Sequence, residues 1–407
     1  MTPRQPRDGF VAAQVLIPAL LAAGGDEENL ASCCRIALLG FGTVGSAVAR
    51  RLTSGSHDFQ LTHVLDRGAD RKRAVLRAAG VAWTTSIDEV LQSDADVVVE
   101  AIGGLDPAAD WIRAALLAGK SVVTANKQVM ARHGDALLTL AARQGRQLRF
   151  EAAVGGAMPI VRAIGDGLAG DRITRIVAIL NGTTNAVLSC MEASGCSLDD
   201  ALADARVRGF AEADPSADLD GDDAAAKLAI LCALAFGLRV DPSQIDTRSS
   251  ADVTADDLAR ARVEGGTIRQ IAHAGYDRDT STLTAWVAPI VVPRGSFFAR
   301  ATAAQNAALI TGEHSGESGI FGTGAGGDAT AVAILSDLAA IARDRAAVVP
   351  APVLSSPAAI LGFTTLNAEL AQHASFDRLR MSAHGELVEP CGLGGVCVDR
   401  RSYAEAL

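Results

Sequence analysis

The segment Gly40-Phe41-Gly42-Thr43-Val44-Gly45 follows an apolar run, Cys34–Leu39, and precedes Ser46-Ala47-Val48-Ala49-Arg50-Arg51-Leu52. No other stretch limits the possible folds so strongly, because G-x-G-x-x-G between a strand and a helix has a specific physical use. Gly40 permits the tight turn, Gly42 lets backbone approach a pyrophosphate, and Gly45 allows close helix–strand packing. The helix N-terminus then presents free N–H groups and the positive end of its dipole to the phosphates. Phe41, Thr43 and Val44 complete this candidate dinucleotide loop.

The pattern that follows extends the same architecture. A strand over residues 61–65, a helix over 71–79 and a strand buried on both faces within 96–102, bounded by Gly103-Gly104, come in turn. A helix over 110–118, a strand over 121–124 and a helix over 129–144 continue the alternation. Residues 34–150 are therefore expected to form a doubly wound parallel sheet of the Rossmann type. After Phe150 the texture changes, with a strand over 173–180, a helix over 224–236, and strands near 283–292 and 307–311. A second glycine-rich loop, Gly322 to Gly327, precedes a helix over 330–345. Residues 151–345 read as an α+β domain, a mixed sheet covered by helices.

The chain has 407 residues, 49% hydrophobic and 21% charged, enough for two or three cored domains. Its 37 basic against 47 acidic residues give a net charge of −10, which argues against a nucleic-acid partner. No apolar run reaches membrane-spanning length. Seven cysteines without a CxxC pair read as reduced thiols in a cytoplasmic protein. Residues 1–33 superficially resemble a secretory signal, but Asp8 and Pro18 interrupt it; they read as a leader without catalytic role.

Three places carry candidate chemistry. Asp66 lies 21 residues after Gly45, where an acid accepts the ribose 2′-hydroxyl and favours NAD, while Arg67 beside it would pair with a 2′-phosphate and favour NADP. Both also read as solvated loop charges, so NAD or NADP stays open. Lys127, in Thr124-Ala125-Asn126-Lys127, ends a strand on the edge where open sheets place ligands, or is a surface lysine. The third is an acidic loop in which Glu212, Asp214, Asp218, Asp220, Asp222 and Asp223 put six carboxylates into twelve positions. It lacks the glutamate that closes an EF-hand. Asp223 and Lys227 are four residues apart and share a helix face. They are either a weak surface ion pair or a lysine tuned by its carboxylate for proton transfer.

These segments, with Glu151-Ala152-Ala153-Val154-Gly155-Gly156-Ala157-Met158-Pro159, Leu180-Asn181-Gly182-Thr183-Thr184-Asn185 and Gly322-Thr323-Gly324-Ala325-Gly326, resemble homoserine dehydrogenase in order from about residue 35 to 345. The resemblance implies NAD(P)-dependent interconversion of L-homoserine and L-aspartate 4-semialdehyde by a homodimer, in threonine, methionine and isoleucine biosynthesis. It also implies that residues 151–345 are the catalytic and dimerisation domain, with the segment 307–345 packing back on the nucleotide domain. It implies that Lys227 is the general acid, that Asp223 orients it, and that Lys127 polarises the carbonyl near the nicotinamide. Glu212 and Asp218 would hold the substrate ammonium, with Gly182 and Thr183 alongside. The loop Gly40 to Gly45, Asp66, Arg67, Gly103, Lys127 and Gly322 would hold the cofactor. The Glu151 carboxylate and the carbonyls of Val154, Gly156 and Met158 would hold a monovalent cation, sodium, tying the two domains together; the alternative is a glycine-rich turn with an exposed glutamate. Phe210 stands where the family usually has Tyr, Ala157-Met158 replaces a Gly-Ile type pair and Thr323 a common Pro. None of these removes a reactive group.

Another Rossmann dehydrogenase would have no reason to keep the loop from Glu212 to Lys227, and a nucleotide sensor without turnover would have lost its lysine or acids. Residues 346–407 lack the apolar alternation of an ACT-type regulatory domain. They are expected to be mobile or loosely docked, with the last forty or so residues dispensable, in an enzyme insensitive to threonine.

Overall fold

In the computed structural model, which describes residues 33–54, 58–76, 80–363, 380–381 and 387–388, strands and helices alternate from the start. They are β1 (Cys34–Leu39), α1 (Thr43–Thr53), β2 (Phe59–Leu65), α2 (Ala69–Lys72), β3 (Ala82–Thr84), α3 (Ile87–Gln92), β4 (Val97–Glu100), α4 (Ala108–Leu117), β5 (Ser121–Thr124), α5 (Lys127–Arg143) and β6 (Leu148–Arg149). All six strands pair in parallel in the order β3-β2-β1-β4-β5-β6. Val97, Val98, Val99, Val122 and Val123 are fully buried, as helices on both faces require. The strand order reverses between β1 and β4, and a crevice for ligands lies beyond the carboxyl ends of those strands.

The helix expected over 71–79 is only one turn, Ala69–Lys72. From Arg71 to Leu76 only Leu76 is a buried apolar side chain, so no apolar face extends the helix. Residues 77–79 lie outside the described part.

The chain continues through α6 (Ile160–Arg162), β7 (Ile173–Ile179), α7 (Gly182–Ser194), α8 (Leu198–Val207), α9 (Ser216–Leu219), α10 (Asp222–Phe236), β8 (Asp246–Thr247) and α11 (Ala255–Val263). Then come β9 (Gly266–Asp277), β10 (Thr282–Pro293), β11 (Gln305–Gly312), β12 (Gly316–Thr323), α12 (Gly327–Arg343), β13 (Ala359–Leu361), β14 (Arg380–Met381) and β15 (Leu387–Val388). A mixed sheet runs β12-β11-β7-β9-β10-β14-β15, with β8 and β13 also pairing with β10. Its spine is the antiparallel β9–β10 hairpin. α10 packs Leu228 and Leu231 into an apolar core that also contains Leu137 of α5, so the two sheets share one interior. α12 returns to the first sheet, where Ile334 and Leu338 join Val48 and Leu52 of α1.

Residues 346–363, read from sequence as chain without an apolar face, are docked. Arg239 N–H donates to the Ser355 carbonyl at 2.8 Å, and β13 runs parallel to Thr282–Thr284 of β10. The Phe363 ring is buried edge-on against Trp286, beneath the Arg248 guanidinium. Three apolar side chains spaced too irregularly to read as an element anchor this stretch: Ala351 and Ile360, packed against the core, and the buried Phe363. Residues 1–32 of the expected leader and most of the tail beyond 363 lie outside the described residues. Among the described residues no helix is long and apolar enough to cross a membrane.

Candidate active site

The loop after β1 is shaped by close approach. A Cβ on Gly40, whose φ is +93°, would lie 2.7 Å from the Ala101 carbonyl, and one on Gly45 would collide with the Gly40 carbonyl. Nothing lies within 4 Å of the corresponding position on Gly42. The first turn of α1 has no side-chain cap, so its N–H groups are available to an anion. These features fit a dinucleotide pyrophosphate. Phe41 packs edge-on against Trp83, and its N–H donates to Asp66 Oδ2 at 2.8 Å. Arg67 is exposed beside Asp66.

Across the crevice, Glu100 ends β4 as a fully buried acid. Its Oε1 accepts from the N–H groups of Ile102 and Gly103, and its Oε2 from the Thr124 hydroxyl. Those bonds fix the Gly103 turn, where φ is +81°. Asn126 caps α5 by accepting from Val129 N–H, and its amide donates to the Gly104 carbonyl at 2.6 Å. Lys127 is thereby set on the first turn of α5, facing the second sheet.

From that side, β7 delivers Leu180 and Asn181 to the crevice, and α10 starts there. Gly221 precedes α10 with φ +90°, packed against Val287, and lets the chain turn so that Asp222 and Asp223 occupy the first helical turn. Asp223 Oδ2 accepts from the Lys227 ammonium at 2.6 Å, and Oδ1 is paired with Lys127. The pair expected on one helix face is therefore a three-membered cluster joining both halves of the molecule. Lys227 also donates to the Leu180 carbonyl at 2.8 Å. The Asn181 amide nitrogen donates to Asp218 Oδ1 and to Asp223 Oδ2, each at 2.7 Å, while its Oδ1 caps α7 at Thr184 N–H.

Burial would push the Asp223 carboxyl up, but the two lysines hold it far below the ordinary range. Burial dominates at Lys227 and, helped by the charge of Lys127, leaves its ammonium easier to deprotonate despite Asp223. At Lys127 the burial effect is outweighed by Asp223, with Asp218 and Glu212 adding to it, so that lysine is held more firmly protonated. Asp218 is raised, first by burial and also by Asp223, against the Asn181 hydrogen bond.

Thr183 donates to the Phe210 carbonyl at 2.7 Å, which holds the start of the acidic loop over the α7 N-terminus. Gly182 is buried where a Cβ would lie 2.9 Å from the Ala304 carbonyl. The Glu212 side chain stands exposed at the rim, and its carbonyl accepts from Arg206. Gly322 packs on the backbone of Met158, and the second glycine loop meets the first at Gly327, against Thr43.

Glu151 is 4% exposed, which overturns the exposed-glutamate alternative. Its two carboxylate oxygens accept from Val161 and Arg162 N–H, and its own N–H donates to Asp337 of α12. Burial, with Asp337 nearby, pushes its carboxyl up to about 7. Gly155 and Gly156 follow with φ of +81° and +63°, and Ala157 N–H donates to the Thr323 carbonyl.

Sequence reasoning gave no role to Asn181, Asn126 or Glu100. An Asn between a strand and a helix is an N-cap signal, which applies to both asparagines. An acid ending an all-valine strand is the corresponding signal for Glu100.

Comparison with known proteins agrees with this geometry. Residues 40–151 match the family model described as homoserine dehydrogenase, NAD binding domain, and residues 159–339 match that described as homoserine dehydrogenase. The chain is 39% identical over 331 residues to the homoserine dehydrogenase of Mycobacterium tuberculosis, covering 79% of this chain and 74% of that one. It is 37% identical over 320 residues to that of Bacillus subtilis, covering 76% and 73%. A crystal structure of a homoserine dehydrogenase from Thiobacillus denitrificans superposes with a TM-score of 0.74 at 33% identity, over 81% of this chain and 79% of that one. A hyperthermophilic archaeal homoserine dehydrogenase in complex with NADPH gives 0.63 at 26% identity, over 78% and 99%. The chain belongs to the homoserine dehydrogenase family of NAD(P)-dependent oxidoreductases.

Proposed function

We propose that Lys227 gives its proton to the carbonyl oxygen of L-aspartate 4-semialdehyde on reduction to L-homoserine, and takes it back in the reverse reaction. One observation carries this reading. Two of the three ammonium N–H bonds of Lys227 are committed to Asp223 and Leu180, which aims the remaining one. The nicotinamide supplies or accepts the hydride when bound. Lys227 releases its proton more readily than an ordinary lysine, as a general acid near neutral pH must. Lys127, more firmly charged, polarises the same oxygen and does not compete as the donor. Asp223 keeps both lysines in place and stays ionised. Asp218 and Glu212 receive the substrate ammonium, and Gly182 and Thr183 border it.

The Gly40 loop, Asp66, Arg67 and Gly103 hold the dinucleotide, and Gly322 braces the second glycine loop beside it. The Glu151 carboxylate and the carbonyls of Val154, Gly156 and Met158 are hard oxygen donors suited to sodium, whose charge would offset the buried Glu151–Asp337 pair. A homodimer in the cytoplasm serving threonine, methionine and isoleucine synthesis completes the proposal. Initial rates with L-homoserine and each cofactor, followed by NAD(P)H absorbance, test it. Turnover specific to homoserine is expected; turnover only with other amino-acid alcohols would overturn it.

A further inference from the structure

Cys190 and Cys196 meet across the corner between α7 and α8, with their Sγ atoms 4.0 Å apart. Cys190 stands near the end of α7, and Cys196 lies in the connection to α8. Gly195 between them, with φ +68°, ends α7 by donating its N–H to the Met191 carbonyl at 2.8 Å, which folds the chain back over the helix end. The Ser194 hydroxyl donates to the Cys190 carbonyl at 2.7 Å and accepts from Cys196 N–H at 3.4 Å, so one side chain links the backbones of both cysteines. Ser197 then caps α8 by accepting from Asp200 N–H. Glu192, also between the two thiols, is paired with the buried Arg269 of β9. The turn that brings the sulfurs together is therefore held from both sides.

Both thiols are half-buried, whereas those of Cys34 and Cys232 are buried. Cys190 opens onto a groove that it lines with Ser194, Asp204, Arg208 and Phe210, which gives a small reagent access. The corner also has a place in the fold. α7 and α8 pack together through Leu188, Met191, Leu202 and Ala205, and the Thr183 hydroxyl bonds the Phe210 carbonyl at their other end. The cysteines sit at the closed end of a helical hairpin whose open end borders the acidic loop.

We propose that Cys190 and Cys196 are a reversible redox pair, which closes to an intramolecular disulfide when a low-molecular-weight disulfide such as oxidised glutathione is in excess, and so braces the α7–α8 corner. One thiolate attacks a sulfur of the oxidant, forms a mixed disulfide and expels the first glutathione thiolate. The second protein thiolate attacks the protein sulfur of that bond and expels the other. The protein gives up two protons and two electrons, and the oxidant leaves as two thiols. The sulfurs must approach from 4.0 Å to a bond of about 2.0 Å, a shift that side-chain rotation and the Gly195 turn can supply. Burial, with Cys196 in contact, pushes the Cys190 thiol up, so closure is expected to be slow at neutral pH and faster in mild alkali. Transient pairs of this kind occur in reducing compartments as well as oxidising ones.

The test uses the full folded chain, incubated with oxidised glutathione, blocked with iodoacetamide and digested with trypsin. Cleavage after Arg175 and Arg206 leaves both cysteines in the peptide Ile176–Arg206. That peptide is expected unalkylated and about 2 Da below its dithiol mass, and alkylated at both cysteines if dithiothreitol is added first. Further cleavage after Glu192 is expected to leave its halves joined until reduced. The oxidised protein is expected to melt about 2–5 °C above the reduced one, a difference absent from Cys196→Ser. A peptide that keeps both thiols free, carries only glutathione adducts or is linked to another cysteine overturns the proposal. A disulfide that leaves the melting temperature unchanged overturns the bracing. The wild-type peptide decides even if Cys196→Ser fails to fold. None of these readouts needs turnover, so this inference stands or falls apart from the reaction proposed above.

Discussion

Asn181 donates to Asp223 at 2.7 Å, and that bond ties the end of β7 to the first turn of α10. The same nitrogen serves Asp218, and the side-chain oxygen caps α7, so one amide sets the spacing of two acids and the start of a helix. Asn181→Ala removes the cap and leaves the buried Asp223 and the half-buried Asp218 each short of a donor, at a cost of about 1–3 kcal/mol in unfolding free energy. We expect kcat to fall while NADPH affinity holds, because the nucleotide loop is untouched. Urea unfolding and steady-state rates on the same protein check both parts; unchanged kcat would show that the acids hold their places without Asn181.

The like charge of Lys127 makes Lys227 easier to deprotonate. In Lys127→Met that influence is gone and the proton affinity of Lys227 rises. The alkaline limb of the pH–rate profile for aldehyde reduction is therefore expected to move to higher pH, together with a lower kcat/KM. A limb that stays in place would mean that another group donates the proton.

In the parallel sheet β1, β2, β4 and β5 were legible because each is rich in apolar residues and precedes a helix, and Gly40 to Gly45 fixes where winding begins; β3 and β6, three and two residues long, are too short to show a pattern. In the second half, β10 and β11 were visible as apolar runs, but β9 was not. Arg269, Gln270 and His273 interrupt its pattern; Arg269 and Gln270 are inside because of partners distant in sequence, and the half-buried His273 stacks on Trp286. β12 is an edge strand with three glycines and little buried side chain, so composition hid it as well. The Lys227–Asp223 pair could be read from spacing alone. The third member, Lys127, stands 96 positions from Asp223 and meets it only because the two sheets share a core.

Burial of His273 against Trp286, with the Arg175 charge nearby, lowers its imidazole to about 4. The unfolded chain, with an ordinary histidine near 6.5, binds more protons between those values, so stability rises with pH across that window and is lost as pH falls toward 4. The effect is at most about 3 kcal/mol. His273→Gln is expected to flatten the melting temperature between pH 6.5 and 4 relative to wild type. An identical slope in the variant would assign the acid sensitivity elsewhere.

Truncation after Thr365 leaves β13 and Phe363 in place, and activity is expected to survive. Truncation after Arg345 removes both, along with the Ser355 bonds to Gly237 and Arg239. Loss of the buried Phe363 ring alone costs about 3 kcal/mol, so this shorter protein is expected to melt several degrees lower. Equal melting temperatures for the two truncations would show that residues 346–363 do not hold the hairpin.

The most direct measurement is kcat for reduction of L-aspartate 4-semialdehyde by Lys227→Ala, with NADPH affinity determined on the same sample. General acid catalysis contributes about 100- to 10,000-fold, so turnover is expected to fall by at least about 100-fold while NADPH binds as it does to wild type. A variant that keeps more than about half of the wild-type kcat would show that Lys227 does not deliver the proton.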